Sequence, residues 1–169
     1  TKGLKTNISY TIYTNLHTNT AYSSLAAQVT KIFPITLNTF IIPTIYGRFI
    51  FNDGIPFMYS NVIGGEGYNP HYEQQIPFSG LTHTESTLKL LGNAQIQVRH
   101  KFHEKQYLTL SGNYAIHQNQ FSNFLQGKKI YGTSIGYGYD SPLGPIEGFI
   151  CYSNRTNKLG FYLNIGFGF

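Results

Sequence analysis

Gly132, Thr133, Ser134, Ile135 and Gly136 spell G-x-S-x-G, the spacing of a serine hydrolase's nucleophile elbow. In an elbow the serine sits on a sharp strand-to-helix turn, with backbone N–H groups aimed at the oxyanion. Asp53 and Gly54 offer the acidic member that a Ser–Asp hydrolase requires. The context removes both halves. "YGYDSPLGP" follows directly and reads as more strand and then a turn, so no helix completes the elbow. Alternation puts Ser134 in a row of small residues with Gly132, Gly136 and Gly138, opposite Tyr131, Thr133, Ile135, Tyr137 and Tyr139. Asn52-Asp53-Gly54 reads as a hairpin turn in which glycine supplies the positive φ. The expectation is that this chain carries no catalytic residue.

Other reactive side chains give no better constellation. His100 and His103 would share a face of a helix, but on a strand a spacing of three puts them on opposite faces. Cys151 stands alone, which excludes an internal disulfide and a cysteine zinc cluster. Glu66, Glu73 and Glu85 fall in one long loop with nothing to pair them as acid and base. No metal and no cofactor are expected. Arg99 and Glu147 lie on the non-apolar faces of their strands and are expected to form an internal ion pair with a structural role. A net charge of +5 comes from scattered residues rather than a run, so nucleic acid is not an expected partner.

Alternation of period two organises nearly the whole chain. "LGFYLNIGFGF" puts Leu159, Phe161, Leu163, Ile165, Phe167 and Phe169 on one face and glycine, tyrosine and asparagine on the other. Ile96 and Val98 alternate with Gln95, Gln97 and Arg99, and Leu108 and Leu110 with Thr109 and Ser111. Turn-forming residues separate the runs. The pattern predicts strands at about 4–16, 21–34, 39–52, 55–63, 88–102, 106–118, 129–140, 144–153 and 159–169. This is an all-β antiparallel meander of about eight or nine strands, longer than the five or six residues usual in a soluble sandwich.

The size of these strands suits a bilayer, where a tilted strand needs about 9–11 residues. Charged residues make up 11% of the 169-residue chain and aromatics 16%, against roughly 25% charged in an ordinary soluble domain. No apolar run is long enough for a membrane-spanning helix. In lipid every backbone polar group must be paired, so the meander is expected to form all, or the C-terminal half, of a transmembrane β-barrel. The rival is a soluble lipocalin-like barrel with its apolar face turned inward. Thr1 opens directly into patterned sequence without an initiator Met, which suggests a processed product or a piece of a longer chain.

One region interrupts the alternation. "NVIGGEGYNPHYEQQIPFSGLTHTEST", residues 61–87, is too long for a turn and too irregular for a wall strand. Gly64, Gly65 and Gly67 permit positive φ or a close backbone approach, and Pro70 and Pro77 stop strand pairing. Its aromatics Tyr68, Tyr72 and Phe78 predict that it packs, folded into the lumen. Gly132, Gly136 and Gly138 would leave it room to dock.

"IGG" with Gly64 and Gly65, "QQIPFSG" with Gln74, Gln75, Pro77 and Phe78, and "DSPLGP" with Asp140, Ser141, Pro142, Gly144 and Pro145 resemble the C-terminal barrel of bacterial patatin-like phospholipases of Bacteroidetes type. That barrel is similar to those of the outer-membrane insertase and two-partner transporter superfamily. The resemblance covers mainly residues 61–169; residues 1–60 agree only in pattern. It implies a barrel of about sixteen strands, of which this chain supplies the last half, anchoring or exporting an acyl hydrolase domain that lies elsewhere in the parent protein. In that superfamily a loop folded into the lumen carries an Arg-Gly motif; this chain has Gly65-Glu66-Gly67-Tyr68 there and no arginine, which weighs against an insertase. In patatin-like enzymes the serine motif also precedes Asp-Gly, the reverse of the order here. The ending, with Phe161, Leu163, Ile165, Phe167 and the terminal Phe169, is the form that barrel assembly machinery reads in the bacterial outer membrane. Expected partners are therefore the outer-membrane bilayer, that machinery and the rest of the parent chain, with a homodimer left open. The alternatives are an insertase or transporter barrel and a free-standing eight-stranded porin-like or adhesion barrel.

Overall fold

The computed structural model describes residues 3–15, 20–51, 55–65, 74–81, 83–142 and 144–166. Eight long strands form one sheet: β1 (Gly3–Asn15), β2 (Thr20–Pro34), β3 (Thr39–Ile50), β7 (Leu90–His103), β8 (Gln106–Gln118), β9 (Lys128–Ser141), β10 (Gly144–Ser153) and β11 (Lys158–Ile165). Each pairs antiparallel with its neighbour in that order. The all-β meander is therefore observed, and the predicted strand limits hold to within a few residues for these eight. Between β3 and β7 the chain leaves the wall and forms a second, three-stranded sheet from β4 (Asn61–Ile63), β5 (Gln75–Ile76) and β6 (Glu85–Thr87).

The predicted wall strand at 55–63 is not formed. Pro56 has no N–H to give to a ladder, and Phe57–Tyr59 instead make a single 3-10 turn closed by the Ser60 N–H on the Phe57 carbonyl at 3.0 Å. Only Asn61–Ile63 are extended, and they pair with β5 and β6 rather than with the wall. The apolar residues that suggested a strand are present because Val62 and Ile63 are fully buried on the inner side.

Alternation sorts the wall into two faces. On β8, Tyr107, Thr109, Ser111, Asn113 and Ala115 are buried, while Leu108, Leu110 and Tyr114 point outward and stay exposed. The same holds on β9, where Ile135 is 54% exposed and its neighbour Ser134 is 2% exposed. An apolar outer face and a neutral, polar inner face are the inverse of a soluble barrel and fit lipid contact. The apolar core sits inside the wall: Ile63, Ile76, Phe78 and Leu81 of the inserted segment pack with Leu91, Ala115 and Ile130.

The two ends of the sheet differ. Short turns at 35–38 and 104–105 and the β9-to-β10 connection lie at one end; the β3-to-β7 segment and the connections at 119–127 and 154–157 lie at the other. At the turn end, Gly144 adopts a φ of 110°, a conformation that side-chain-bearing residues rarely enter, and its carbonyl accepts the Ser141 hydroxyl at 2.5 Å. Ser141 and Asp140 pair across the hairpin with Gly144 and Pro145, and the Pro145 carbonyl accepts the Gly166 N–H at 2.9 Å. Pro142 makes the exposed tip.

Candidate luminal docking site

Among the described residues, the segment from 55 to 89 is fastened to the inner wall at three places. The first is Arg48, buried on the inner side of β3. Its guanidinium donates to the Ser60 carbonyl (3.2 Å), Asn61 Oδ1 (3.1 Å), the Tyr59 carbonyl (3.4 Å) and the Ser24 hydroxyl of β2 (3.2 Å). Asn61 in turn donates to the carbonyls of Leu88 (2.8 Å) and Lys89 (2.9 Å). One asparagine thus joins the entry of the segment to its exit, and one arginine ties that junction to the wall.

The second place is the middle of β9. Ser134 Oγ shares hydrogen bonds with Ser111 Oγ of β8 at 2.6 Å and with Ser79 Oγ of the segment at 3.2 Å; Ser79 and Ser111 are 3.0 Å apart. Two residues back along β9, on the same face, Gly132 lies directly beneath the Ser79 carbonyl, and any Cβ there would overlap it. Asn113 Nδ2 adds a donor to the Pro77 carbonyl at 3.4 Å. Of the three glycines expected to make room for the segment, only Gly132 does so. The space at Gly136 is taken by the Phe149 ring and that at Gly138 by the Tyr107 ring.

The third place is the loop end of β10. Gly80, with a φ of 83°, rests on the backbone of Tyr152 and Ser153, and Glu85 pairs with Arg155 at 3.0 Å on the surface. Inside the segment, Gly64 and Gly65 both take positive φ, at 113° and 73°. Their N–H groups donate to the carbonyls of Ile76 and Leu81. Gln75, buried, donates through Nε2 to the Gly64 carbonyl at 2.8 Å, and Phe78 is 0% exposed in the core. The structure therefore gathers Gly64, Gly65, Gln75, Pro77 and Phe78 into one docked unit, with Gln74 at its edge facing a small cleft near Arg48 and Tyr46. A cavity of about 470 Å³ remains beside the unit, lined by Thr30, Thr44, Gln95, Gln97 and Phe149 among others.

Apart from these, Arg99 Nη2 lies 3.7 Å from Glu147 Oε1, the internal pair expected from alternation. Tyr107 completes it, donating to Glu147 Oε1 at 2.6 Å while its ring faces the Arg99 guanidinium at 4.6 Å. Space over Gly138 is what lets the Tyr107 ring lie there.

Asp140, Ser141, Pro142, Gly144 and Pro145 stand at the opposite end of the wall from most of the fastenings. Phe161, Leu163 and Ile165 project outward from β11, exposed. Phe167, Phe169, Asp53 and Gly54, Glu66 to Glu73 and Leu143 lie outside the described residues. Arg48, Asn61 and Ser79 were not singled out in the sequence. The available signal was Arg48 itself: a lone cation at an inward position of a strand whose inner face is otherwise neutral.

The sequence model of the OMP85 superfamily matches residues 1–169, the whole chain. The chain belongs to the OMP85 superfamily. No curated protein and no solved structure matches it. As an OMP85 chain it belongs with the outer-membrane β-barrels of the insertase and transporter type, consistent with the lipid-suited outer face. Ser134 in this OMP85 barrel has hydroxyls as its hydrogen-bond partners and lies mid-strand. A fluorophosphonate probe is therefore expected to leave Ser134 unlabelled, and peptide mapping after probe treatment checks this. Ser134→Ala should lower stability by about 1 kcal/mol, measured as a shift in the denaturant midpoint. Among the described residues no group of three metal-ligating side chains converges.

Proposed function

We propose that this chain is the C-terminal half of an outer-membrane barrel of about sixteen strands, and that the barrel anchors, and displays or exports, a patatin-like acyl hydrolase. The observation that carries the half-barrel reading is the pairing of an open wall with a filled interior. Among the described residues β1 and β11 are the sheet's two edges, and lipid does not tolerate unpaired strand edges. An eight-stranded barrel closes around an interior just wide enough for its own side chains, whereas here a three-stranded sheet occupies that side. More strands are needed, and the parent chain is their natural source.

The hydrolase part of the reading is supported by the Asp140–Pro145 turn, by Gly64-Gly65 and by the Gln74–Phe78 stretch, all resembling patatin-like barrels. In this reading Phe161, Leu163, Ile165, Phe167 and Phe169 form the signal that the assembly machinery recognises. Glu66 where an arginine is expected speaks against an insertase. The test is the parent protein. Its sequence upstream of Thr1 should hold a G-x-S-x-G on a strand-to-helix turn followed by Asp-Gly, and a fluorophosphonate probe should label that serine. Folded in detergent, the parent should migrate faster on a gel before boiling than after. Repeated small βααββ domains upstream would instead establish an insertase, and a signal peptide directly before Thr1 a small barrel.

A further inference from the structure

The connection between β8 and β9 does not extend away from the wall. Residues 119–127 fold back over its outer face, crossing β7 to reach β3. The Phe124 ring lies over Gly92, 2.9 Å from where a Cβ would stand. Phe121 stacks on Phe49 of β3, centroids 4.8 Å apart and planes at 25°. Phe49 and Leu90 are direct cross-strand partners, and Leu90 is 1% exposed although alternation puts it on the outer side. A strap is thus laid across the outside of the β3–β7 pair, opposite the point where the inner segment leaves and rejoins the wall.

The strap's own surface remains apolar where it faces away from the wall. Phe121 is 64% and Leu125 75% exposed. Ser122 and Asn123 between them carry a hydroxyl and an amide but no carboxylate, and Lys128 and Lys129 follow, both exposed. Lys129 pairs with Ile116, an outward position. Farther along β7 and β8 stand the exposed outward side chains Ile96 and Tyr114, so the strap continues the lipid-facing surface at its rim. An apolar ridge with uncharged polar groups and a neighbouring cation is the composition of a membrane-interface element.

We propose that residues 119–127 are an interfacial lipid anchor: Phe121 and Leu125 enter the acyl chains of the external leaflet, and Lys129 meets lipid phosphate at headgroup level. The proposal rests on the membrane-barrel reading, with the long connections facing outward as in bacterial barrels. It also gives the strap a second consequence, because lipid pressing on it holds the β3–β7 pair together from outside.

The chain has no Trp, so in the parent protein the difference from the unsubstituted protein isolates one introduced ring. Ile96→Trp, Phe121→Trp and Leu125→Trp are to be reconstituted in phosphatidylcholine vesicles brominated either near the headgroup or near the chain ends. Leu125→Trp replaces a side chain with little packing and so guards against a folding defect at Phe121. The expected result is that Ile96→Trp loses more fluorescence to the deep bromine. Both strap rings should lose more to the shallow bromine and resist aqueous acrylamide. If Ile96→Trp is quenched by lipid while the strap rings are quenched only by acrylamide, the strap stands in water and the proposal fails. If the strap rings escape both quenchers, protein covers them, and the proposal fails equally. If Ile96→Trp also escapes lipid bromine, the membrane reading itself falls, and the anchor with it.

Discussion

Gly132→Val is expected to release the inner segment from the wall while leaving the wall strands paired. The glycine lies under the Ser79 carbonyl, so an added side chain meets backbone and not the movable end of a side chain. Overpacking of a filled interior costs about 1–3 kcal/mol, and the upper end applies here because Ser79 is also held by Ser111 and Ser134. Lifting Ser79 breaks those hydrogen bonds and draws Phe78, which is fully buried, away from Ala115 and Ile130. Limited proteolysis of the folded parent protein checks this. Gly132→Val should be cut between residues 61 and 87 under conditions that leave the unsubstituted protein intact, with its fast gel migration preserved. Gly136→Ala is the comparison: it would press on the Phe149 ring instead and should leave the segment protected. Equal cleavage in both variants would show that the segment is not seated on β9.

The second large effect is at Glu147. Its carboxylate is 1% exposed and accepts from Tyr107 while lying 3.7 Å from the Arg99 guanidinium. Removing one member of a buried pair strands the other and costs about 3–5 kcal/mol. Arg99 keeps 29% of its side-chain surface exposed, so it retains some hydration, and Glu147→Ala is expected near the low end, at about 3 kcal/mol. Glu147→Gln keeps an acceptor for Tyr107 and should lose less. The paired variant Arg99→Leu with Glu147→Leu should recover most of the loss, because a buried ion pair replaced whole by apolar groups is often neutral. Unfolding midpoints in urea, measured on reconstituted protein, decide it. A paired variant as unstable as Glu147→Ala would mean that shape, and not stranded charge, governs the site.

Much of this was legible because each wall strand must serve two solvents. A strand with lipid on one side and a polar interior on the other writes its orientation into every second residue, so Ser134 could be assigned to a row of small inward residues rather than to an elbow. The same logic placed Arg99 and Glu147 together on the inner side. It failed where burial no longer alternates. Ile55, Phe57, Val62 and Ile63 read as one strand, but the chain turns at Pro56 and buries Val62 and Ile63 in a second layer. The docking contacts were less legible still, since β3 pairs with β7 across the whole inserted segment and nothing local states that register. The glycines of β9 illustrate the limit. Their smallness was visible, but whether each gap holds backbone or an aromatic ring depends on Ser79 of the inserted segment and on Phe149 and Tyr107 of the neighbouring strands.

The fastening at Arg48 has a consequence for the conditions under which the barrel works. Among the described residues, the four groups that accept from its guanidinium are uncharged: two backbone carbonyls, one amide and one hydroxyl. The seat on β9 is likewise built from hydroxyls, an amide and apolar side chains, and the ion pair between Glu85 and Arg155 lies at the surface. Mobile ions weaken attraction between exposed charges but have little purchase on buried dipoles. Apart from the Glu85–Arg155 pair, the described fastenings of the inner segment are therefore expected to be little weakened by rising ionic strength.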